Sequence, residues 1–500
     1  MVRRVLTILL LAVALGPGPV RGQVRAPAGV DLPVRTFALD NGMRFLVLER
    51  PTAPTVAFVS TFPVGGVNEH LGSTGTAHLL EHLLFKGSTT IGTRDPEAER
   101  VLFGRMDAVQ DTILRVRGAL PVDSVRLRAL ETRIEVLEDS ARAYVIPNEF
   151  DRILSRAGAR GLNATTTNEA TTYFVELPAN RAELWFALES DRMRDPVFRE
   201  FFTERDVVME ERRLRVETSP GGLLYENHLA AAFTMHPYGV PVVGYMSDLE
   251  SLTRAQVTDY YRRYYGPNNA VVAVVGNVDA GRIEAWARHY FADIPPGDAP
   301  PPVLAREPEQ DGVRRVEVRV DAGPALRMGW KVPPATHPDA PALAMLAALL
   351  TGGTTAHLQR ILVEEERMAT YVGTSMGPGE LYPRLFTVDL TPRTPHTPDE
   401  AEAAVLDALA AFGREGPTEA ELERVRTRIA AGDVRRLQSN LGLALQLASS
   451  EAALGDWRGA FELGDRIREV TPEDVREVAV RYLRPETLTV ATLVRKEGAE

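Results

Sequence analysis

The sequence predicts an α+β protein of two homologous domains, with a helical hairpin inserted in the first. Three observations predict it. Short apolar strands and amphipathic helices alternate through 500 residues, more than one ordinary core holds. A strand-and-helix pattern from the first half recurs beyond the Pro-rich stretch 295–302. Residues 95–145 add two consecutive heptad seams. The expected domains are 33–294 and 313–497, joined by a linker at 295–312.

Residues 1–22 stand apart. Arg3-Arg4, the apolar run Val5 to Leu15, Gly16-Pro-Gly-Pro and Val20-Arg-Gly22 have the charged start, short apolar centre and small-residue exit of a secretory signal peptide. The run is too short to span a bilayer comfortably, and no other stretch does so. The expectation is an exported protein, periplasmic or secreted, with no stable membrane anchor. The chain has no cysteine, which excludes disulfides and an N-terminal lipidated cysteine. A net charge of −11 disfavours nucleic acid and anionic membrane surfaces.

Val34 to Glu49 predicts a strand, an Asn41-Gly42 turn and a second strand, and Thr55 to Phe62 predicts a third. The chain then passes Val64-Gly-Gly66 and reaches Gly75-Thr-Ala-His78-Leu-Leu-Glu81-His82-Leu-Leu-Phe-Lys-Gly87, which contains H-x-x-E-H. On a helix His78 and His82 lie one turn apart on one face, with Glu81 beside them. Two neutral imidazoles at this spacing suit Zn²⁺, and a neighbouring carboxylate suits proton transfer from an activated water. Leu79, Leu80, Leu83 and Leu84 would seat the helix in a core.

The hairpin follows. Leu102, Met106, Val109, Ile113, Val116 and Leu120 form one seam; after Pro121, Leu127, Leu130, Ile134, Leu137 and Ala141 form another. Such a self-packed arm serves as a stabiliser, a dimer contact or a substrate fence. Further on, Leu252 to Tyr265 predicts an amphipathic helix and Ala270 to Val275 an apolar strand.

Beyond the linker, the strand Ala325 to Trp330 precedes a helix at 341–353 that overlays residues 75–87 at a shift of 266. His78, Glu81 and His82 fall on Ala344, Ala347 and Ala348, so the repeat keeps the helix and loses its chemistry. Near each half's end, Val257 to Pro267 matches Val475 to Pro485 at a shift of 218, leaving the first half 48 residues longer between these landmarks. The arm accounts for that length.

A catalytic zinc takes three protein ligands and keeps one position open. With no cysteine, the third is a His or a carboxylate. The predicted helix Glu200 to Glu217 offers Glu204 and Glu211, seven apart and nearly eclipsed, although composition alone favours reading them as ordinary charges on a solvated face.

Val64-Gly-Gly-Val-Asn-Glu69, Gly75 to Gly87, Leu162-Asn-Ala-Thr-Thr-Thr-Asn-Glu-Ala-Thr-Thr-Tyr173 and Glu204 to Glu211 resemble the pitrilysin/insulinase family of zinc metallopeptidases with the inverted motif, in the short two-domain form similar to mitochondrial processing peptidase. The resemblance implies two α+β domains, each an antiparallel sheet with packed helices, closing on a chamber for peptides or unfolded polypeptide. It implies zinc as cofactor, His78, His82 and Glu211 as ligands, Glu81 as catalytic base, and Glu204 as the outer carboxylate that orients a ligating His. His82 to Glu211 spans 129 residues, roughly fifty more than the family's usual gap, an excess the arm explains.

The resemblance further implies that substrate adds as a β-strand along an edge at Asn163-Ala164, with Tyr371 gripping it from the second domain. Family members place an Arg seven residues before that Tyr; here the position is Glu364, with Arg360 and Arg367 nearby. The function this implies is peptide-bond hydrolysis by a zinc endopeptidase, as a homodimer or beside a related subunit. The alternative is a zinc-holding subunit with little activity alone.

Overall fold

The structure, a computed structural model, describes residues 32–496, so the signal peptide expected at 1–22 lies outside the described residues. The first sheet is built from β1 (Arg35–Ala38), β2 (Arg44–Glu49), β3 (Thr55–Phe62), β4 (Arg160–Thr166), β5 (Thr171–Pro178) and β6 (Val271–Gly276). Their order across the sheet is β1-β2-β6-β3-β5-β4. The second sheet is built from β7 (Arg314–Val320), β8 (Ala325–Val332), β9 (Ala369–Gly377), β10 (Arg384–Pro392) and β11 (Thr489–Arg495), in the order β7-β11-β8-β10-β9.

Without β1, the two orders match strand for strand. Both sheets are antiparallel except for one pair each, β2 with β6 and β7 with β11, which are parallel. The internal repeat is therefore a repeat of topology. The Asn41-Gly42 turn forms as expected, with Gly42 at φ 88 where a side chain would be strained.

Helices cover both faces of each sheet, and on one face they are exchanged between the halves. The helix Asn440–Leu454, from the second half, lies on the first sheet; Leu443, Ala444, Leu447 and Ala448 are buried there with Leu46, Val59 and Val271. Reciprocally, Pro220–Ala232 from the first half lies on the second sheet, with Leu224 against Val318, Ala491 and Leu493. Burial on two faces explains why β6 is apolar throughout and does not alternate.

The connector 295–312 has no helix or strand, but it is tied down. Glu307 accepts backbone N–H bonds from Thr234, Met235 and His236 and the Lys331 ammonium at 2.8 Å. Gln310 Nε2 donates to the carbonyls of Thr487 and Leu488.

The arm is the helix pair Pro96–Arg117 and Ser124–Arg142. It is more than a self-packed hairpin, because Met106, Ile113, Ile134, Leu137 and Ala141 belong to the same buried cluster as Phe58, Leu79 and Leu83. At its root Glu99 pairs with Arg199 at 3.2 Å, and both side chains are 1% exposed. Arg199 also donates to the carbonyls of Lys86, Ser88 and Ile91. In the second half Ala344, Ala347 and Ala348 pack on its core from the helix Ala340–Thr351. Among the described residues no helix is long and apolar enough to cross a membrane.

Candidate metal centre

The H-x-x-E-H segment lies on the helix Thr76–Leu83. Its N-terminus follows Gly75 at φ 86, where a Cβ would come within 2.8 Å of Leu249 Cδ2 and Val243 O. Glycine offers no capping side chain, so distant carboxylates take the free N–H groups. Glu69 accepts from Gly75 N at 2.8 Å and Ala77 N at 2.6 Å; Asp248 accepts from Gly72 N and Thr74 N just upstream. Ala77, Leu79, Leu80 and Leu83 are wholly buried, which fixes the rotation of the helix about its axis.

That rotation turns both imidazoles to one point. The His78 and His82 rings are 4.9 Å apart and inclined at 80°. From the helix Phe201–Arg212, Glu211 Oε2 lies 3.5 Å from His78 Nε2 and 3.7 Å from His82 Nε2. Among the described residues these three form a group whose ligand atoms all fall within 4.8 Å of one another. Two nitrogens and a carboxylate oxygen, converging from two helices, fit a zinc ion.

The surroundings favour that donor set. Glu204, two turns before Glu211, accepts His82 Nδ1–H at 3.2 Å, which in the neutral ring leaves Nε2 as a free lone pair. Burial and the neighbouring His82 and Arg215 hold His78 down at about 3, so its ring is neutral. For His82 burial acts the same way, but the bond to Glu204 and the charges of Glu204 and Glu211 outweigh it and raise the ring. Burial would raise Glu204 too; its bonds to His82 and Lys86 pull it below the usual range.

Glu81 is not among the three. Its Oε2 accepts the Thr166 hydroxyl at 2.5 Å, and burial, against that bond, pushes its carboxyl above the ordinary value. This is the direction a general base working near neutral pH needs. Thr166 ends β4, the outermost strand of its sheet, which has one side without a strand partner among the described residues. Asn163 is exposed there, and Ala164 is buried opposite Tyr173. Tyr371 lies on β9, the corresponding edge of the second sheet, 56% exposed and sharing no hydrogen bond or ion pair with the centre. Glu364 is exposed, and Arg360 is engaged by Glu365 at 2.6 Å.

Three partners escaped sequence reasoning. Lys86 Nζ holds Glu204 Oε1 at 2.6 Å and Glu200 at 3.2 Å. Arg215 holds Glu211 Oε1 at 2.7 Å, and Thr166 holds Glu81. The first had a signal: lysine occurs only at 86, 331 and 496 in a chain otherwise supplied with arginine, and the first two are partly buried in ion pairs. Arg215 follows Glu211 by one helical turn. Thr166 had none beyond its place in the quoted segment.

Two family models match the chain, "Insulinase (Peptidase family M16)" over residues 141–245 and "Peptidase M16 inactive domain" over 251–429. The first begins beyond His78 and His82. The zinc protease PqqE of Helicobacter pylori is 26% identical over 466 residues, 92% of each chain, and the uncharacterized zinc protease YmxG of Bacillus subtilis is 22% identical over 92% of this chain and 98% of its own. A crystal structure of a protease from Helicobacter pylori superposes with a TM-score of 0.78 at 24% identity, covering 93% of this chain and all of that one. The periplasmic protease PqqL of Escherichia coli superposes with a TM-score of 0.68 at 18% identity, covering 92% of this chain and 47% of that one.

Proposed function

We propose that this chain, which has the pitrilysin/insulinase (M16) metallopeptidase fold with an active and an inactive M16 domain, is an exported zinc-dependent endopeptidase acting on peptides or unfolded polypeptide segments. The observation that carries the reading is the convergence of His78 Nε2, His82 Nε2 and Glu211 Oε2, with Glu81 outside the set and held by Thr166. These three residues would hold zinc, which when bound supplies Lewis-acid polarisation and an activated water. The likeness to zinc protease PqqE supports the metal, and the likeness in fold to periplasmic PqqL supports export.

Each protein group has one task. Glu81 takes a proton from the attacking water and returns it to the leaving amine nitrogen. Thr166 holds the carboxylate in place for both transfers. Glu204 fixes the His82 tautomer, and Lys86 and Arg215 neutralise the two carboxylates that face the histidines. The free edge of β4 at Asn163-Ala164 offers backbone groups to an extended peptide, a mode that tolerates many side chains.

A second reading rests on Glu364 and Tyr371. Both are exposed, the position seven residues before Tyr371 is a carboxylate, and the nearby Arg360 is taken by Glu365, which among the described residues leaves the exposed Arg367 as the one free arginine of the two beside it. On that reading the chain holds zinc but works beside a related subunit. Zinc analysis and digestion of a mixed peptide pool by the purified chain separate the two. Stoichiometric zinc with cleavage supports the endopeptidase, zinc without cleavage supports the partnered subunit, and absence of zinc contradicts both.

A further inference from the structure

We infer that Glu169 is a positioning residue through which the second domain fixes β4, and with it Thr166 and Glu81, against the metal helix. The inference rests on the reading of β4 as the substrate edge. Glu169 lies in the turn between β4 and β5, which is closed by Thr167 N donating to Ala170 O at 2.9 Å. Its carboxylate takes two donors from the second domain and one from its own. Oε2 accepts Glu380 N at 2.9 Å, and Oε1 accepts Leu381 N at 2.8 Å together with the Tyr238 hydroxyl.

Glu380 and Leu381 belong to the loop joining β9 and β10, in the domain without metal ligands. Three donors on one carboxylate make a strong, directional cluster. The loop is shaped for it: a Cβ on Gly379 would collide with Tyr238 Oη and Glu169 Oε1, so only glycine allows the approach. Tyr238 is fully buried, with its ring edge-on to Phe233, His236 and Tyr382.

The turn is pinned on its other side as well. Gly66 N donates to Thr167 O at 3.1 Å and Val67 N to Asn168 O at 2.8 Å. Thr166, which holds Glu81, is three residues from Glu169. A shift of the turn therefore reaches the carboxylate of the base and the end of the edge strand together. An edge strand has one partner only and loosens from an unheld end. The second domain thus contributes to the site through main-chain amides, while among the described residues the one metal-binding cluster lies in the first.

The test compares Glu169→Gln and Tyr238→Phe with the wild-type chain by amide hydrogen exchange, zinc content, and kcat and KM on an unstructured peptide. Gln presents an N–H₂ to at least one of the three donors, whereas Phe removes one hydroxyl and keeps the ring packing. In Glu169→Gln, exchange at 160–168 should quicken by about tenfold or more while helices far from the turn stay protected. Zinc content should hold and KM should rise about tenfold, more than kcat falls. Tyr238→Phe should shift exchange and KM the same way by less, and the double variant by less than the sum. Unchanged exchange at 160–168, unchanged KM in an active protein, or loss of zinc with global loosening in both variants would overturn the inference. Exchange needs no hydrolysis, so quickened exchange in a chain that cleaves nothing keeps Glu169 as the anchor of β4 and discards the peptidase reading.

Discussion

Lys86 Nζ lies 2.6 Å from Glu204 Oε1 while the other oxygen of the same carboxylate accepts His82 Nδ1–H at 3.2 Å. The carboxylate that orients the His82 imidazole is therefore itself held by a cation one turn further along the chain. Lys86→Met should leave the fold intact and weaken zinc binding about tenfold, and Glu204→Gln should weaken it by about ten- to a hundredfold. Competition with a chelator measures both. Wild-type affinity in Glu204→Gln would remove it from its assigned role.

The arm carries a prediction in two parts. Its distal end is exposed, with Leu120 94% and Val125 71% accessible, so joining residues 117 and 128 through a short turn should give a folded chain that keeps its zinc. The root behaves differently. Glu99→Ala leaves the buried Arg199 guanidinium without its carboxylate and should cost about 3–5 kcal/mol in denaturant unfolding. Replacing the whole of 95–145 should fail to fold for the same reason. Normal stability of either root variant would show the arm to be a separate body.

Glu307 predicts a pH dependence. Burial would raise its carboxyl, but the Lys331 ammonium and three backbone N–H groups hold it at about 2, against an ordinary 4.5. A depressed folded value means that the ionised form stabilises the fold. That stabilisation is complete above about 4.5 and is lost as pH falls through about 2. Glu307→Gln should therefore be less stable than wild type at pH 7, by roughly 1–3 kcal/mol. The difference should shrink as the pH drops below about 4.5. A difference that is constant or grows on acidification contradicts this.

Much of the fold was legible because it is local. The strand Thr55–Phe62 has the bounds its apolar run gave, and the Asn41-Gly42 turn lies where its dipeptide placed it. The helices at 76–83 and 340–351 follow from leucine and alanine spacing. What was not legible depends on distant partners. The apolar face of Asn440–Leu454 says that it packs, but nothing in it says that it packs on the sheet of the other half. The parallel pairing of β2 with β6 joins residues more than two hundred apart in sequence. The arm's seams are visible, whereas Glu99 looks like any helix-start carboxylate until Arg199 is placed against it. The same holds at the centre. His78 and His82 follow from spacing and Glu204 and Glu211 from family likeness, whereas Thr166 and Arg215 meet their carboxylates only once the chain is folded.

On the proposed function Glu211 belongs with His78 and His82 as a ligand, while Glu81, between the histidines in sequence, moves protons and binds no metal. Zinc stoichiometry measured beside peptide hydrolysis in Glu81→Gln and Glu211→Gln tests it most directly. The expected result is one zinc per chain and no hydrolysis for Glu81→Gln, and neither zinc nor hydrolysis for Glu211→Gln. Full zinc in Glu211→Gln, or zinc lost from Glu81→Gln in a folded chain, would contradict it.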